Sequence, residues 1–395
     1  MFEPFSIARL PRIEFGAGAI LRLPALLARY GRRVLLVTGA RSVQSTPAWP
    51  RLLADLDRGG FTWEQVSVDD EPSPALVDGA VRRLHDTGIQ AVAGIGGGSV
   101  LDAAKAIAGL LYTGHPVMDY LEGVGPQKPY AGPAVPFIAV PTTAGTGSEA
   151  TKNAVLSVRG TRGFKKSFRD EQLVAEYALV DPDLLASCPP GQIAANAMDA
   201  MTQLLESYVS TRANPFTDAL AESGITAIRD GLFAWYDGTG DAAAGRARMA
   251  YAALLSGICL AQTGLGSVHG LASPLGAFFP IPHGVVCGSL LAAATRVNLD
   301  ALEARDPAGP ALAKYARLGQ LLRGRPLNNP ANALEALNLI LADWTERLKL
   351  PRLGDYDVKE SDLPRIVANV SGSSMKTNPI VLSEAEITEI LRQRL

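Results

Sequence analysis

The stretch "NAMDAMTQLLESYVS", residues 196–210, has a helical period, and it sets Asp199 and Gln203 four residues apart. At that spacing the two side chains face the same way and could grip one ion, the first through a carboxylate and the second through an amide oxygen. Of the four histidines, His85 falls on a charged helix face and His115 in a loop, whereas His269 and His283 fall in "SVHGLASPLGAFFPIPHG" (267–284). That segment lies within 249–295, which contains no Lys, Arg, Asp or Glu. A lone histidine in such a segment is more often a satisfied core residue than a ligand. Two of them, with an Asp–Gln pair on an apolar helix, shift the balance. A buried Asp199 needs a positive partner, no nearby Lys or Arg supplies one, and a divalent cation would. The spacing is neither HExxH nor a four-cysteine zinc pattern.

Two loops suggest a second kind of chemistry. In "GIGGGSVLDAAK" (94–105) a strand run ends in Gly96, Gly97 and Gly98 and a helix opens at Ser99, so free N–H groups and the positive end of a helix dipole face whatever binds there. A phosphate suits that place, although such glycines also make plain tight turns, and the pattern is neither GxGxxG nor a P-loop. Asp102 and Lys105, one turn on, could be only a surface i, i+3 pair. "PTTAGTGSEAT" (141–151) also follows a strand and supplies the hydroxyls of Thr142, Thr143, Thr146 and Ser148. Two such loops at the carboxyl ends of parallel strands mark the crevice where open α/β sheets bind nucleotides.

The elements that must position these residues are legible along the chain. "RVLLVTG" (33–39), "FTWEQVSV" (61–68), "IQAVAGIG" (89–96), "VPFIAVP" (135–141) and "YALVD" (177–181) read as strands, with amphipathic helical stretches between the first four. That alternation predicts a mainly parallel sheet with helices on both faces. Beyond "DPDLLASCPP" only long Ala- and Leu-rich helical periods follow, and Ser383 with Glu386 forms a capping box for a last helix. The expected organisation is an α/β domain over residues 1–188 and an all-helical domain over 189–395, with a cleft between them.

With 395 residues, 47% of them hydrophobic, the chain can fill two cores. A net charge of −2 offers no basic field for nucleic acid or an anionic membrane, which leaves a small-molecule partner. Cys188, Cys259 and Cys287 are odd in number and far apart, as free thiols in a reducing compartment would be. Residues 1–16 carry no apolar run of signal-peptide length, and a cytoplasmic location is expected. The uncharged 249–295 segment is long enough to span a membrane, but its prolines, glycines, Gln262 and histidines point to a buried core instead.

Taken in order, "GGGSVLDAAK", "PTTAGTGSEAT", "DPDLL", "AANAMDAMTQLLESYVS" and "GLGSVHGLASPLGAFFPIPHG" resemble the motifs of the iron-containing (group III) alcohol dehydrogenases. The resemblance implies that residues 1–188 form a dinucleotide-binding domain and 189–395 a metal and substrate domain, and that Gly97, Gly98 and Ser99 hold a cofactor pyrophosphate with Asp102 close by. It places Thr142, Thr143 and Ser148 along the cofactor, and Asn153 and Lys165 at further polar contacts. It also implies a metal held by one aspartate and three histidines, of which Asp199, His269 and His283 match three. Gln203 stands where the remaining histidine is expected, so the site would be Asp199, Gln203, His269 and His283, binding Fe or Zn weakly and less suited to soft metals. Ser273 stands where many members have a further histidine near the nicotinamide.

The activity so implied is hydride transfer between NAD(P)(H) and an aldehyde or primary alcohol, in a homodimer or larger oligomer. Many NAD-preferring relatives have an aspartate where this chain has Gly39, and Arg41 and Ser42 follow, able to meet a 2′-phosphate; NADPH is therefore expected to be tolerated or preferred. The rivals are a metal-independent enzyme resembling maleylacetate reductases, a sugar-phosphate cyclase related to dehydroquinate synthase, and a non-catalytic nucleotide-binding relative. The first two need cationic substrate pockets that the uncharged 249–295 segment does not offer.

Overall fold

A computed structural model describes residues 3–160, 163–370 and 374–395. The chain packs as two units, one made of Ala8–Val158 with Gly163–Cys188 and the other centred on Pro189–Leu395.

The first unit is built on a six-stranded sheet. Its elements in order are β1 (Arg12–Phe15), α1 (Leu23–Leu27), β2 (Arg33–Gly39), α2 (Ala48–Arg58), β3 (Thr62–Val68), α3 (Pro74–Leu84), β4 (Ala91–Gly96), α4 (Gly98–Leu110), β5 (Phe137–Pro141), β6 (Asn153–Val158), β7 (Phe164–Arg169) and β8 (Tyr177–Val180). The sheet order is β1-β8-β5-β4-β2-β3, and every pairing is parallel. All residues of β4 and β5 are buried, as expected of central strands covered on both faces. The five strand runs seen in the sequence are β2, β3, β4, β5 and β8. Three strands were not expected: β1, which pairs Arg12 with Tyr177, and the antiparallel hairpin of β6 and β7. β4 and β5 are neighbours, with Gly96 opposite Pro141, so the two glycine loops leave the sheet side by side, and the Thr142 N–H donates to the Gly96 carbonyl at 2.9 Å.

Among the described residues after Cys188 there is no strand. The helices are α5 (Pro190–Val209), α6 (Pro215–Tyr236), α7 (Ala242–Thr263), α8 (Ser267–Phe278), α9 (His283–Arg305), α10 (Pro310–Arg323), α11 (Pro330–Arg347), α12 (Leu363–Ala368) and α13 (Glu384–Arg392). The capping box of Ser383 and Glu386 opens α13 as the sequence indicates. Between α7 and α8 the path turns by 100°. Gly264 sits there at φ +70°, a left-handed conformation that favours glycine. The uncharged segment thus forms most of α7, all of α8 and the first half of α9. By length and composition α9 passes as a membrane span, but 83% of its apolar window is buried, against α5, α8, α11 and α13.

Candidate metal centre and cofactor loops

Four donors converge in the helical unit. The face of α5 that carries Asp199 and Gln203 also carries Glu206, at i, i+4 and i+7. His269 is the third residue of α8 and His283 the first of α9; Cys287 follows one turn along α9. Asp199 Oδ1 lies 3.4 Å from His269 Nε2 and 3.8 Å from His283 Nε2. Cys287 Sγ lies 3.7 Å from each of those nitrogens. The four ligand atoms all fall within 4.8 Å of one another. Asp199 and Cys287 are fully buried, whereas the His283 side chain remains 29% exposed, which leaves the cluster one open flank.

Glu206 fixes how His269 is presented. Its carboxylate accepts from the Val268 N–H at 2.7 Å and from His269 Nδ1 at 2.7 Å. With the Nδ1 proton committed there, Nε2 is left facing Asp199 and the thiol, the arrangement by which a buried carboxylate orients a metal-binding histidine. Burial pushes Asp199 upward, but the His283 and His269 imidazoles outweigh it and hold the carboxyl below its usual value. Burial pushes His269 downward, and Cys287, Glu206 and Asp199 reverse that, raising it well above an ordinary histidine. Both shifts say that this pocket draws positive charge. Burial also pushes the Cys287 thiol up to about 12, against the pull of His269. A carboxylate, two imidazoles and a thiol this close together are a donor set that fits a divalent cation.

Gln203 has a different set of contacts from the one expected of it. Its Nε2 donates to Asp199 Oδ1 at 3.2 Å, and its Oε1 accepts from the Ser256 hydroxyl at 2.7 Å. The donor that sequence reasoning missed is Cys287. The signal was present, since Cys287 stands four residues after His283, the same spacing that singled out Asp199 and Gln203. Ser273 lies one turn after His269 on α8 and is half-buried.

In the sheet unit, Gly97 is the N-cap of α4, which no side chain caps, and Gly98 and Ser99 form its first turn. A Cβ on Gly98 would lie 2.6 Å from Thr146 Cγ2, and one on Gly97 would lie 3.3 Å from Thr143, so these glycines let the two loops touch. Lys105 does pair with Asp102, Nζ to Oδ1 at 3.4 Å, but the pair is not at the surface. Lys105 is fully buried, and its Nζ donates to Ser148 O (2.8 Å), Ser148 Oγ (2.9 Å), Thr151 Oγ1 (3.0 Å) and Asn153 O (2.6 Å). Asp102 accepts from Ser148 Oγ at 2.5 Å and from the Val155 N–H at 3.1 Å. Together Asp102 and Lys105 clamp α4 to the 148–155 segment.

Around the remaining positions, Thr142 is buried and Thr143 half-buried. Asn153 Oδ1 accepts from Arg169 Nε at 2.8 Å, and Lys165 pairs with Glu71 at 2.6 Å. The Gly39 carbonyl accepts from Gln44 at 2.8 Å, and Arg41 and Ser42 are exposed.

Residues 11–182 match the family described as iron-containing alcohol dehydrogenase, and residues 193–395 match the carboxyl-terminal part of the Fe-containing alcohol dehydrogenase family. Similar proteins include alcohol dehydrogenase 4 of Saccharomyces cerevisiae, 31% identical over 92% of this chain and 91% of the relative. Lactaldehyde reductase of Escherichia coli is 31% identical over 89% of each. Among solved structures, a 1,3-propanediol oxidoreductase superposes with a TM-score of 0.87 at 29% identity, covering 100% of both chains. With both halves matched in order, the chain belongs to the iron-containing alcohol dehydrogenase family. It is thus an oxidoreductase of alcohols and aldehydes, in a family that works with a nicotinamide dinucleotide and a metal.

Proposed function

We propose that this chain is a metal-assisted, nicotinamide-dependent reductase of aldehydes, or dehydrogenase of the corresponding primary alcohols. The observation that carries the reading is the convergence of Asp199, His269 and His283, with Glu206 orienting His269 from behind. A divalent cation, Fe or Zn, held by these residues supplies Lewis-acid polarisation of the substrate oxygen, and the nicotinamide carries the hydride. Asp199 contributes the negative charge that retains the cation, and Glu206 keeps His269 Nε2 turned toward the cluster. The Ser273 hydroxyl, one turn from His269, offers a proton route to solvent.

In this reading residues 1–188 bind the dinucleotide and 189–395 bind metal and substrate. Gly97, Gly98 and Ser99 take the pyrophosphate on the uncapped start of α4. Thr142, Thr143 and Ser148 run along the cofactor, with Asp102 and Lys105 holding the Ser148 turn in place and Asn153 and Lys165 as outer polar contacts. Gly39 leaves out the carboxylate that would repel a 2′-phosphate, and the exposed Arg41 and Ser42 would meet that phosphate, so NADPH is accepted at least as well as NADH. The protein works as a cytoplasmic homodimer or larger oligomer.

The test is elemental analysis of the purified protein combined with oxidation of NADH and NADPH across an aldehyde panel, before and after chelation. Metal-dependent oxidation supports the reading, whereas full activity with no detectable metal hands it to the metal-independent rival. Measuring kcat/KM for both cofactors in wild type and Gly39→Asp checks the preference. A Cβ at residue 39 meets only ordinary contacts, so the added carboxylate can act without repacking and should swing preference toward NADH. A wild type that strongly prefers NADH overturns the cofactor assignment.

A further inference from the structure

We infer that the Cys287 thiolate is a metal ligand in this protein, completing an Asp199–His269–His283–Cys287 site, and that Gln203 positions Asp199 instead of binding the metal. The inference rests on the metal-assisted reading above and specifies which atoms would do the binding.

A tetrahedrally held cation with Zn–N and Zn–O bonds of ~2.0–2.1 Å and a Zn–S bond of ~2.3 Å sets its ligand atoms about 3.3–3.6 Å apart. The separations here are 3.4 and 3.8 Å from Asp199 to the two imidazoles and 3.7 Å from Cys287 to each. Sulfur therefore already stands at a ligand's distance, within a few tenths of an ångström. The helix that carries it is held close to α5, because a Cβ on Gly284 would lie 2.6 Å from the Ala195 carbonyl oxygen and one on Gly288 would lie 2.8 Å from Met198 Cβ. Gln203, by contrast, turns its amide nitrogen toward Asp199 and its oxygen toward Ser256. The amide so placed holds the carboxylate oxygen that both imidazoles approach.

Two consequences separate this site from one with an amide ligand. One carboxylate and one thiolate together neutralise a divalent cation, and the thiol proton leaves to solvent when the metal–sulfur bond forms. The soft sulfur donor also tilts selection toward Zn²⁺ and away from Mn²⁺ or Mg²⁺, the reverse of what a glutamine oxygen would give.

The experiment loads wild type, Cys287→Ser and Gln203→Ala with Co²⁺ and reads the near-ultraviolet sulfur-to-cobalt charge-transfer absorption, with retention against a chelator. Wild type should show the band at one cobalt per chain. Cys287→Ser should lose the band and weaken retention at least about tenfold, while Gln203→Ala keeps the band. X-ray absorption of zinc-loaded wild type, which needs no variant, should find one sulfur at about 2.3 Å. Cobalt bound to wild type without the band, or a zinc shell without sulfur, overturns the inference and leaves the metal-assisted reading standing. A wild type that binds neither metal overturns both. A sulfur band in a protein with no hydride transfer to any aldehyde supports this ligand set and overturns the proposed reaction alone.

Discussion

Asp199 and Ser273 are both polar residues near the same imidazole, yet their replacements should differ sharply. Asp199 is fully buried and faces His269, His283 and Gln203, so Asp199→Ala removes charge from the proposed cation site. Ser273→Ala removes a hydroxyl whose place a water can take. We expect kcat/KM to fall more than about 100-fold in the first and less than about tenfold in the second; equal losses would refute the ranking. Glu149 yields a prediction in pH. Burial raises its carboxyl from 4.5 to about 7, against its own backbone hydrogen bond and the pull of Lys105. Between those values the folded chain keeps a proton that the unfolded chain has released. Stability contributed by this group is therefore greatest below pH 4.5, falls as pH rises toward 7, and is flat above. Glu149→Gln should stabilise the protein at pH 8 by at most about 3 kcal/mol and have little effect near pH 4.5. Denaturation midpoints at the two pH values check this, and a gain independent of pH would contradict it.

At the scale of elements, the site depends on how closely α9 lies on α5. Because a Cβ on Gly284 meets the backbone oxygen of Ala195, which cannot rotate away, Gly284→Ala must push the start of α9, with His283 and Cys287, off Asp199. A loss of about 1–3 kcal/mol in stability, with weakened metal retention, is expected. Gly191→Ala, at an α5 position where a Cβ meets no atom within 4 Å, should be neutral or stabilise by up to about 1 kcal/mol. Chemical denaturation and metal retention of the two variants decide it. The same scale explains what could be read in advance. The central strands are continuous buried apolar runs and were legible as such. β1 is four residues long, lies at the sheet edge and exposes Ile13 and Phe15, while β7 carries Lys165, Lys166 and Arg169, so neither bears a strand's apolar signature. Asp199, His269 and His283 were legible because charge and imidazole are rare in apolar helices. Cys287 carried only its four-residue spacing from His283, a weak signal, since a buried cysteine looks like any small hydrophobe until α9 is placed against α5. The role of Gln203 depends on Ser256, 53 residues away, and the burial of Lys105 depends on the segment that folds over it; no local pattern encodes either.

For the whole molecule, a bound cation is a ligand of the folded state alone and should raise thermal stability by mass action. If the metal stands at about 1,000 times its Kd, removing it costs about 4 kcal/mol, which corresponds to a fall in Tm of roughly 8–16 °C for a cooperative unit of about 200 residues. Calorimetry with and without chelator measures it, and an unchanged Tm would deny the cluster any hold on metal. The sheet imposes a different timetable. β1 pairs with β8, Arg12 opposite Tyr177, so the strand made first waits for a partner about 165 residues later. At translation rates of about 5–20 residues per second that wait is roughly 8–33 s. For the last part of that wait, the 36 residues from Pro141 to Tyr177, the side of β5 that β8 will cover stays an open edge. A nascent chain halted before Tyr177 therefore keeps that edge open, whereas one long enough for Val180 to have cleared the ribosome has the means to complete its own sheet.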